Sequence, residues 1–367
     1  MNDSIGAVKS MSAGDRRLFA AAGLLTVFAG VTRYVDLGDV TAFVVSGLAL
    51  AALAALVGRS VDNLGDRFGA GATGVLQSAL GNLPELFVCV FALRAHLTRV
   101  VEAAVIGSIL GNILLVLGLA LLVGGLRHGT QRFDSNRARV ISALMVLAVA
   151  AMLVPSLANY VHTPAAEHER ALSVVASIVL LIVFAASVPS SLRREDQLGD
   201  DQPGDAAAEA HDEPRWPVAL AVGTLAGTGL LAALVSDWFV HALDPAIHSL
   251  HISQTFAGLV IVAIAGNAVE NVVGVQLAAR NRTDYALSVI LNSPLQIALV
   301  LAPLLVLLSF VIGGATFVLV FPPLLVTTLA ASVLAVSFII VDAESVWLEG
   351  AALLGLYAVI AASFWWG

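Results

Sequence analysis

Charged residues are scarce in this sequence of 367 residues. Only 12% of them are Asp, Glu, Lys or Arg, whereas 59% are hydrophobic and the mean hydropathy is +0.93. Soluble globular domains carry about 25% charged residues. The shortage of charge therefore excludes a soluble globular domain and indicates that lipid surrounds much of the chain.

Cysteine is almost absent as well, since Cys89 is the only one and lies in an apolar run. A single cysteine excludes a disulfide framework. No polybasic cluster is present, and we expect no nucleic-acid partner. The sequence also lacks His-Glu-x-x-His, Gly-x-Ser-x-Gly and phosphate-cradling patterns, so we expect neither an enzyme nor a cofactor.

Long apolar runs, in contrast, are abundant. Segments such as 103–123 and 314–341 exceed the roughly 20 residues that a helix needs to cross a bilayer. Because these runs lack the period-two alternation of a barrel, they are predicted to be helices. Eleven spans are predicted, near 17–33, 39–58, 70–93, 100–126, 138–157, 170–190, 216–237, 253–279, 284–311, 314–340 and 345–366.

The distribution of Lys and Arg predicts the orientation. When the helices are numbered in order, most of the 18 basic residues fall on the amino-terminal side, among them Arg16, Arg17 and Arg280. The positive-inside rule then predicts a cytoplasmic amino terminus and, with an odd number of spans, an outside carboxyl terminus. No small-residue cleavage site follows the first run, so we expect a retained helix in a bacterial cytoplasmic membrane.

An internal repeat joins two apolar segments. GNLPEL begins at residue 81 and GNAVEN at residue 266, an offset of 185 positions that also carries Ser108 onto Ser293 without a gap. Polar identities inside apolar helices are unlikely to arise by chance. The matched residues are Gly81 with Gly266, Asn82 with Asn267, and Glu85 with Glu270.

The repeat predicts the architecture. One extra helix precedes two halves of five spans each. Two copies of an odd number of spans insert with opposite orientation, as in many secondary transporters, which hold substrate near mid-membrane between the repeats. The predicted fold is an all-α membrane protein with two inverted five-helix repeats. Its segments are a tail and extra helix (1–37), a first repeat (38–192), an acidic, solvated cytoplasmic linker (193–215) and a second repeat (216–367).

Glu85 and Glu270 are the acids placed deepest in predicted spans. A carboxylate in hydrocarbon costs several kcal/mol unless it is neutralised or paired, so such residues are typically functional. The alternative is a protonated Glu that bonds a neighbouring helix. Asn82 and Asn267 each precede an acid by three residues and share its helix face, so they join the candidate cation site.

The next helix of each half adds hydroxyl and amide groups. Ser108 and Ser293 are expected to line the site. Asn112 lies four residues after Ser108, and Asn292 and Gln296 are also four apart. For Asn112 and Gln296, hydrogen bonding between helices is as plausible as ligation.

These side chains form an all-oxygen set without soft ligands. Ca²⁺ takes six to eight oxygens in a tolerant geometry, whereas Zn²⁺ and Cu⁺ prefer His or Cys. Two converging carboxylates repel each other, and repulsion with desolvation raises the pKa of at least one. Protons and a divalent cation then compete for Glu85 and Glu270, which is a mechanism for exchange.

The segments around Glu85 and Glu270 resemble the signature sequences of the cation/proton exchanger branch of the calcium/cation antiporter superfamily. GNLPELFVCVFALRA followed by GSILGNILLVLG is similar to its first signature, and FAGLVIVAIAGNAVENVVGVQLAARN followed by SPLQIALVLAPLLVLL to its second. The resemblance implies eleven helices, Ca²⁺ and protons as substrates, and alternate binding of Ca²⁺ and protons at Glu85 and Glu270.

Several positions depart from the family pattern. Asn271 replaces a histidine, Gln77 stands for an asparagine before the first signature, and Asp62 keeps the charge of an earlier acidic position. Three alternatives therefore stay open. They are exchange of Na⁺, K⁺ or Mn²⁺ for protons, exchange of Ca²⁺ for Na⁺, and a non-transporting membrane protein that keeps the fold.

Overall fold

The computed structural model is mostly helical. It describes residues 11–35, 37–68, 80–201 and 216–366. Within these ranges, the side chains of residues 65–68, 137, 188–201 and 269–270 are not described. The α-helices are α1 (Ala13–Tyr34), α2 (Asp39–Phe68), α3 (Leu83–Arg94), α4 (Thr98–Leu110), α5 (Leu117–His128), α6 (Ser135–Tyr160), α7 (Glu169–Asp201), α8 (Val218–Leu250), α9 (Gln254–Phe256), α10 (Ala263–Gly266), α11 (Ala268–Ala279), α12 (Thr283–Gln296), α13 (Ala302–Ser309), α14 (Pro323–Val341) and α15 (Trp347–Ser363). The π-helical turns are π1 (Gly111–Val116), π2 (Ala257–Val262) and π3 (Ile297–Leu301), and a 3₁₀ turn covers Pro164–His168. Strand β1 (Gln131–Arg132) pairs antiparallel with β2 (Glu344–Ser345).

Seven helical stretches within the described residues are long and apolar enough to cross a bilayer. They are Asp39–Leu64, Thr98–His128, Ala138–Tyr160, Pro164–Ser187, Val218–Leu250, Thr283–Ser309 and Pro323–Val341. The pair Gln254–Gly266 and Asn271–Ala279, bent by 63°, adds an eighth if it crosses as one broken span. The chain is therefore a multi-pass membrane protein, and the count of eleven stays a prediction.

The remaining predicted spans coincide with helices outside that set. The run 17–33 forms α1, which has 22 residues, and the run 345–366 forms α15, which has 17. The run 70–93 overlaps α3, while residues 70–79 lie outside the described part of the chain.

The predicted span 314–340 was wrong in its first part, because helix begins only at Pro323. Gly313 and Gly314 have φ values of 73° and 93°, a left-handed conformation that interrupts a helix and suits glycine. Pro322 then precedes Pro323, and a residue before proline avoids the helical region. Apolarity alone indicated membrane depth but not the conformation of this segment.

Side chains of two helices satisfy the backbone of this irregular segment. The Ser156 hydroxyl donates to the carbonyl oxygen of Leu319 at 3.0 Å and accepts the N–H of Phe321 at 2.9 Å. Ser173 Oγ accepts the N–H of Leu319 at 3.0 Å, and the Tyr160 hydroxyl donates to the Phe321 carbonyl. Irregular backbone survives at membrane depth when protein groups replace water in this way.

The first part of the predicted linker is helical. Helix α7 continues to Asp201, so residues 193–201 are helical, and residues 202–215 lie outside the description. Helix continues here because a polar run rich in Arg, Glu, Asp and Gln holds no proline or glycine before Gly199.

Element bounds recur after 185 positions. Helices α3 and α11 share both bounds at this offset, and α4 and α12 both begin at a threonine, Thr98 and Thr283. Turns π1 and π3 end at equivalent positions, so α5 and α13 begin at equivalent positions too.

The turns between these helices recur as well. His96 has φ 59° and Asn281, its equivalent, has φ 61°. The N–H of Leu97 donates to the Ala92 carbonyl at 2.8 Å, and the equivalent Arg282 donates to the Leu277 carbonyl at 3.0 Å. The backbone conformation of these turns therefore recurs at the same offset of 185 positions as the sequence motifs.

Internal packing divides the chain into two compact units. The first combines Met1–Val88 with Val183–Leu243, and the second combines Cys89–Ile182 with Asp244–Gly367. Each unit takes segments from both sides of the predicted linker. This division by packing differs from the division into sequence repeats, whose bounds stay a prediction.

Aromatic rings and glycines pack the first unit. Phe43 of α2 stacks on Phe239 of α8 with ring centroids 4.9 Å apart. Gly30 of α1 faces the Trp238 ring, where an added Cβ would lie 3.2 Å from the nearest ring atom. Helices α1, α2 and α8 therefore approach one another closely in this unit.

Candidate functional site

Four buried polar side chains form one hydrogen-bonded cluster in the second unit. They are Ser108, Asn112, Asn267 and Ser293, and each is at most 4% exposed. The Asn112 amide nitrogen lies 3.2 Å from Ser293 Oγ and 3.5 Å from Asn267 Oδ1. The Asn267 amide nitrogen donates to Ser108 Oγ at 3.1 Å, and Ser293 Oγ donates to Asn267 Oδ1 at 3.4 Å. The cluster joins side chains from both predicted repeats.

Asn267 reaches the cluster from a break between two helices. It lies between α10 and α11 with φ −107° and ψ 16°, outside helical geometry. Its side-chain nitrogen donates back to the Ala263 carbonyl at 3.0 Å, and its own carbonyl accepts the N–H of Asn271 at 3.1 Å. The amide thus satisfies part of the interrupted helix and directs its oxygen into the cluster.

Asn112 and Ser108 lie where α4 passes into a π-helical turn. Asn112 is the second residue of π1, and its amide nitrogen donates to the Ser108 carbonyl at 2.9 Å. Turn π3 follows directly after α12, which carries Ser293 and Pro294. π-helical turns occur frequently at functional sites because the extra residue alters which side chains face inward.

A close helix crossing brings α4 against π2. A Cβ added to Gly107 would overlap the backbone of Leu259, and a Cβ added to Gly258 would overlap the carbonyl oxygen of Val100. Gly111, one turn from Gly107, faces open space, with no atom within 4 Å of an added Cβ. No local sequence pattern points to Gly258, because its close neighbours lie on a helix that is distant in the sequence.

Asn112 holds an unused acceptor. It is 1% exposed, and its Oδ1 has no hydrogen-bond partner within the part of the chain that the structure describes. An unsatisfied buried acceptor costs about 1–3 kcal/mol. An ion is one kind of partner that satisfies such an oxygen. The sequence left hydrogen bonding and ligation equally open for Asn112, and the structure places its side chain inside the four-residue cluster.

Glu85 and Asn82 belong to the first unit. Glu85 is fully buried in the first turn of α3, where the positive end of the helix dipole favours a carboxylate. Asn82 is 9% exposed, lies in the turn before α3, and accepts the N–H of Leu86 at 2.9 Å. The equivalent bond forms at Asn267, which accepts the N–H of Asn271 at 3.1 Å, so the helices that follow the two asparagines begin in the same way.

Glu270 lies in the first turn of α11, three residues after Asn267, as Glu85 follows Asn82. Its side chain is outside the description, as is the whole of Gln77. Asn292 and Gln296 are half-buried on α12, and within the described residues no hydrogen bond links them to the four-residue cluster. Asp62 is exposed near the end of α2. The structure thus brings together four of the predicted site residues.

A multi-pass helical membrane protein with a buried amide and hydroxyl cluster between broken helices has the features of a secondary transporter. The family described as sodium/calcium exchanger protein matches residues 39–192 and 220–366. The chain belongs to this family.

Relatives with assigned names match nearly the whole chain. A Ca²⁺/H⁺ antiporter of Aphanothece halophytica is 34% identical over 359 residues, which cover 92% of this chain and 96% of the relative. A Ca²⁺/H⁺ antiporter of Synechocystis is 34% identical over 343 residues, covering 89% and 91%. The solved structure of native YfkE is 28% identical, with a TM-score of 0.79, and the match covers 95% of this chain and 99% of YfkE.

Proposed function

We propose that the protein exchanges Ca²⁺ for protons across a membrane by alternating access. The observation that carries the proposal is the buried cluster of Ser108, Asn112, Asn267 and Ser293, in which polar oxygens of both signatures meet. Relatives named as Ca²⁺/H⁺ antiporters support the choice of both ions.

The two signatures belong to two inverted repeats of five helices after one extra helix, eleven in all. Support comes from helix bounds and left-handed turns that recur after 185 positions. The family match in two segments, 39–192 and 220–366, agrees with repeats at 38–192 and 216–367 around a cytoplasmic linker. An odd number of spans in each repeat inverts the second copy.

Glu85 and Glu270 are the acids that bind Ca²⁺ or protons in turn. Support comes from the complete burial of Glu85 and from the equivalent backbone positions of the two acids after Asn82 and Asn267. Carboxylates placed in hydrocarbon favour either protonation or a divalent cation, because unneutralised charge is costly there. The empty charged site therefore does not reorient, and exchange is coupled.

The amides and hydroxyls complete the coordination. Asn82, Asn267, Ser108 and Ser293 supply neutral oxygens, and Asn112 supplies a further oxygen through its Oδ1. Gln77, Asp62, Asn292 and Gln296 form a second tier around this set. Ca²⁺ tolerates mixed carboxylate, carbonyl and hydroxyl ligands in irregular geometry, which suits a site built from helix breaks.

The membrane is a bacterial cytoplasmic membrane, with the amino terminus in the cytoplasm and the carboxyl terminus outside. The bias of basic residues toward one side supports this orientation. Exchange of Na⁺, K⁺ or Mn²⁺ for protons, Na⁺-coupled Ca²⁺ exchange, and a non-transporting role are the alternatives.

The test is flux in proteoliposomes with an imposed pH gradient. We expect uptake of radiolabelled Ca²⁺ that depends on the gradient, and loss of this uptake in Glu85→Gln and Glu270→Gln. Glu344→Gln is the matched control, because Glu344 lies in an exposed ion pair with Arg132. Full activity in either of the first two variants contradicts the assignment.

A panel of Ca²⁺, Mn²⁺, Na⁺ and K⁺, read with a pH-sensitive dye, separates the alternatives. Proton movement driven by Ca²⁺ without Na⁺ supports the proposal. Ca²⁺ flux that requires Na⁺ supports the sodium-coupled alternative, and no flux with any cation supports a non-transporting role.

A further inference from the structure

A cleft of about 400 Å³ opens in the first unit between α1, α2 and α8. Apolar side chains such as Leu53 and Leu231 line it, with bare glycine backbone at Gly223 and Gly227. On α8 the lining runs from Ala219 to Leu231, about 18 Å along the axis at ~1.5 Å per residue. One leaflet of the hydrocarbon core is about 15 Å deep, half of ~30 Å.

The cleft is apolar and is not filled by neighbouring side chains. A Cβ added at Gly23, Gly223 or Gly227 would meet no atom within 4 Å. The hydroxyl of Thr228 donates to the carbonyl of Thr224 on its own helix at 2.6 Å, so its proton is not available to a polar occupant. An elongated apolar occupant therefore fits the cleft better than water does.

Cationic side chains lie at one end of the cleft. Arg16 and Arg17 are exposed in the first turns of α1, less than one turn before Phe19, which lines the cleft. Arg59 lies one turn beyond another lining residue, and its Nε is 3.5 Å from Asp15 Oδ1. Positive charge at the end of a leaflet-deep groove complements an anionic headgroup.

Trp216 connects the helices at this end of the cleft. Its indole N–H donates to Asp15 Oδ2 at 3.0 Å, and its backbone N–H donates to Asn63 Oδ1 at 3.0 Å. Its ring lies 5.5 Å from the Phe19 ring. These bonds tie the beginnings of α1 and α8 to the end of α2, so the basic residues and the cleft keep a fixed relation.

We propose that the first unit binds one anionic phospholipid of the surrounding bilayer. One acyl chain lies in the cleft along α8, and the phosphate contacts Arg16 and Arg17.

Native mass spectrometry of the full chain in detergent tests the proposal, with phosphatidylglycerol and phosphatidylcholine as probes. We expect wild-type protein to retain phosphatidylglycerol in preference to phosphatidylcholine. Gly227→Leu and Gly223→Leu place a side chain in the cleft, and each should weaken retention of phosphatidylglycerol about tenfold, a ratio that corresponds to ~1.4 kcal/mol. Gly229→Leu is the matched control, because Gly229 also faces open space on α8 but does not line the cleft.

A second set of variants tests the contact between the headgroup and the arginines. Arg16→Gln with Arg17→Gln should abolish the preference for phosphatidylglycerol while both lipids still bind, and Arg33→Gln at the other end of α1 should not. Equal retention by wild type and both glycine variants overturns the proposal. A fall in oligomeric mass in those variants without a change in lipid retention also overturns it, because the cleft then holds a second copy. Monodisperse elution of each variant checks that it has folded.

Discussion

The amide nitrogen of Asn112 lies 3.2 Å from the hydroxyl oxygen of Ser293, although 181 positions separate the two residues. Asn112 belongs to the first signature and Ser293 to the second. Their contact, with Asn267 beside them, joins the two signatures within a single buried cluster. Changes to one member should therefore affect transport and stability together.

Asn112→Ala removes the donor that joins the cluster. We expect Ca²⁺ uptake to fall by at least about tenfold and the protein to lose about 1–3 kcal/mol of stability, because Ser293 and Asn267 lose a buried partner. Proteoliposome flux and thermal unfolding in detergent measure both effects. The control is Asn136→Ala, since Asn136 is exposed and its amide oxygen contacts only Arg139 among the hydrogen bonds described. Equal flux in the two variants contradicts a central role for Asn112.

Gly107→Ala and Gly111→Ala form a matched pair one turn apart. At Gly107 the new methyl group overlaps the Leu259 backbone, whereas at Gly111 it meets open space. Overpacking typically costs about 1–3 kcal/mol, so we expect a lower unfolding temperature for the first variant only. Lower flux should accompany it, because α4 carries Ser108. If both variants unfold at the wild-type temperature, the close crossing of α4 and π2 is refuted.

Trp216→Phe keeps an aromatic ring but removes the indole N–H that donates to buried Asp15, which is 4% exposed. We expect a loss of about 1–3 kcal/mol in stability, because the buried Asp15 Oδ2 loses one of its two described hydrogen bonds, the other coming from the Ser12 N–H at 3.2 Å. Thermal unfolding measures it, and Trp365→Phe, at an exposed tryptophan, serves as the control. A double-mutant cycle with Asp15→Asn should show coupling between the two residues. Additive effects argue against the bond.

Inverted repeats place equivalent turns on opposite sides of the membrane. After replacement of the single cysteine by Cys89→Ala, a new cysteine is introduced at Ala95 or at Arg280, which are equivalent and both exposed. A membrane-impermeant maleimide should label Ala95→Cys from outside and Arg280→Cys from the cytoplasmic side. Labelling of both from the same side excludes the inversion.

Ca²⁺ binding should release protons, since the cation and protons share Glu85 and Glu270. Added Ca²⁺ is expected to acidify a weakly buffered solution of purified protein, and the apparent Ca²⁺ affinity should fall as the pH falls, because protonation removes carboxylate charge. A pH electrode with calorimetry measures both quantities. Glu85→Gln should release fewer protons, whereas Glu344→Gln should match wild type. Binding without proton release contradicts shared sites.

The sequence contains local information about the helix breaks and their residues. Asn82 and Asn267 were recognisable because a polar Gly-Asn pair in an apolar run is costly unless it has a role. Ser108 and Ser293 followed from the offset between the two copies. These predictions depend only on short-range pattern and on repetition, so they needed no knowledge of the packing.

Other features depend on contacts between distant segments. Nothing in the surrounding sequence distinguishes Gly258. Its lack of a side chain matters only because π2 crosses α4 closely at this position. The bond between Asp15 and Trp216 spans 201 positions, and no periodicity points to it. The π-helical turn at Asn112 adds one residue to a helix that is apolar over most of its length, so hydropathy could not place it.

The irregular stretch before Pro323 limits what can replace one serine. The Ser156 hydroxyl donates a hydrogen bond to the Leu319 carbonyl and accepts one from the Phe321 N–H, so a single oxygen serves two backbone groups in a buried region. Alanine offers neither function and cysteine offers both only weakly, whereas threonine retains the hydroxyl. Tolerance at this position is thereby restricted to hydroxylated side chains, for reasons of chain folding that are independent of ion binding.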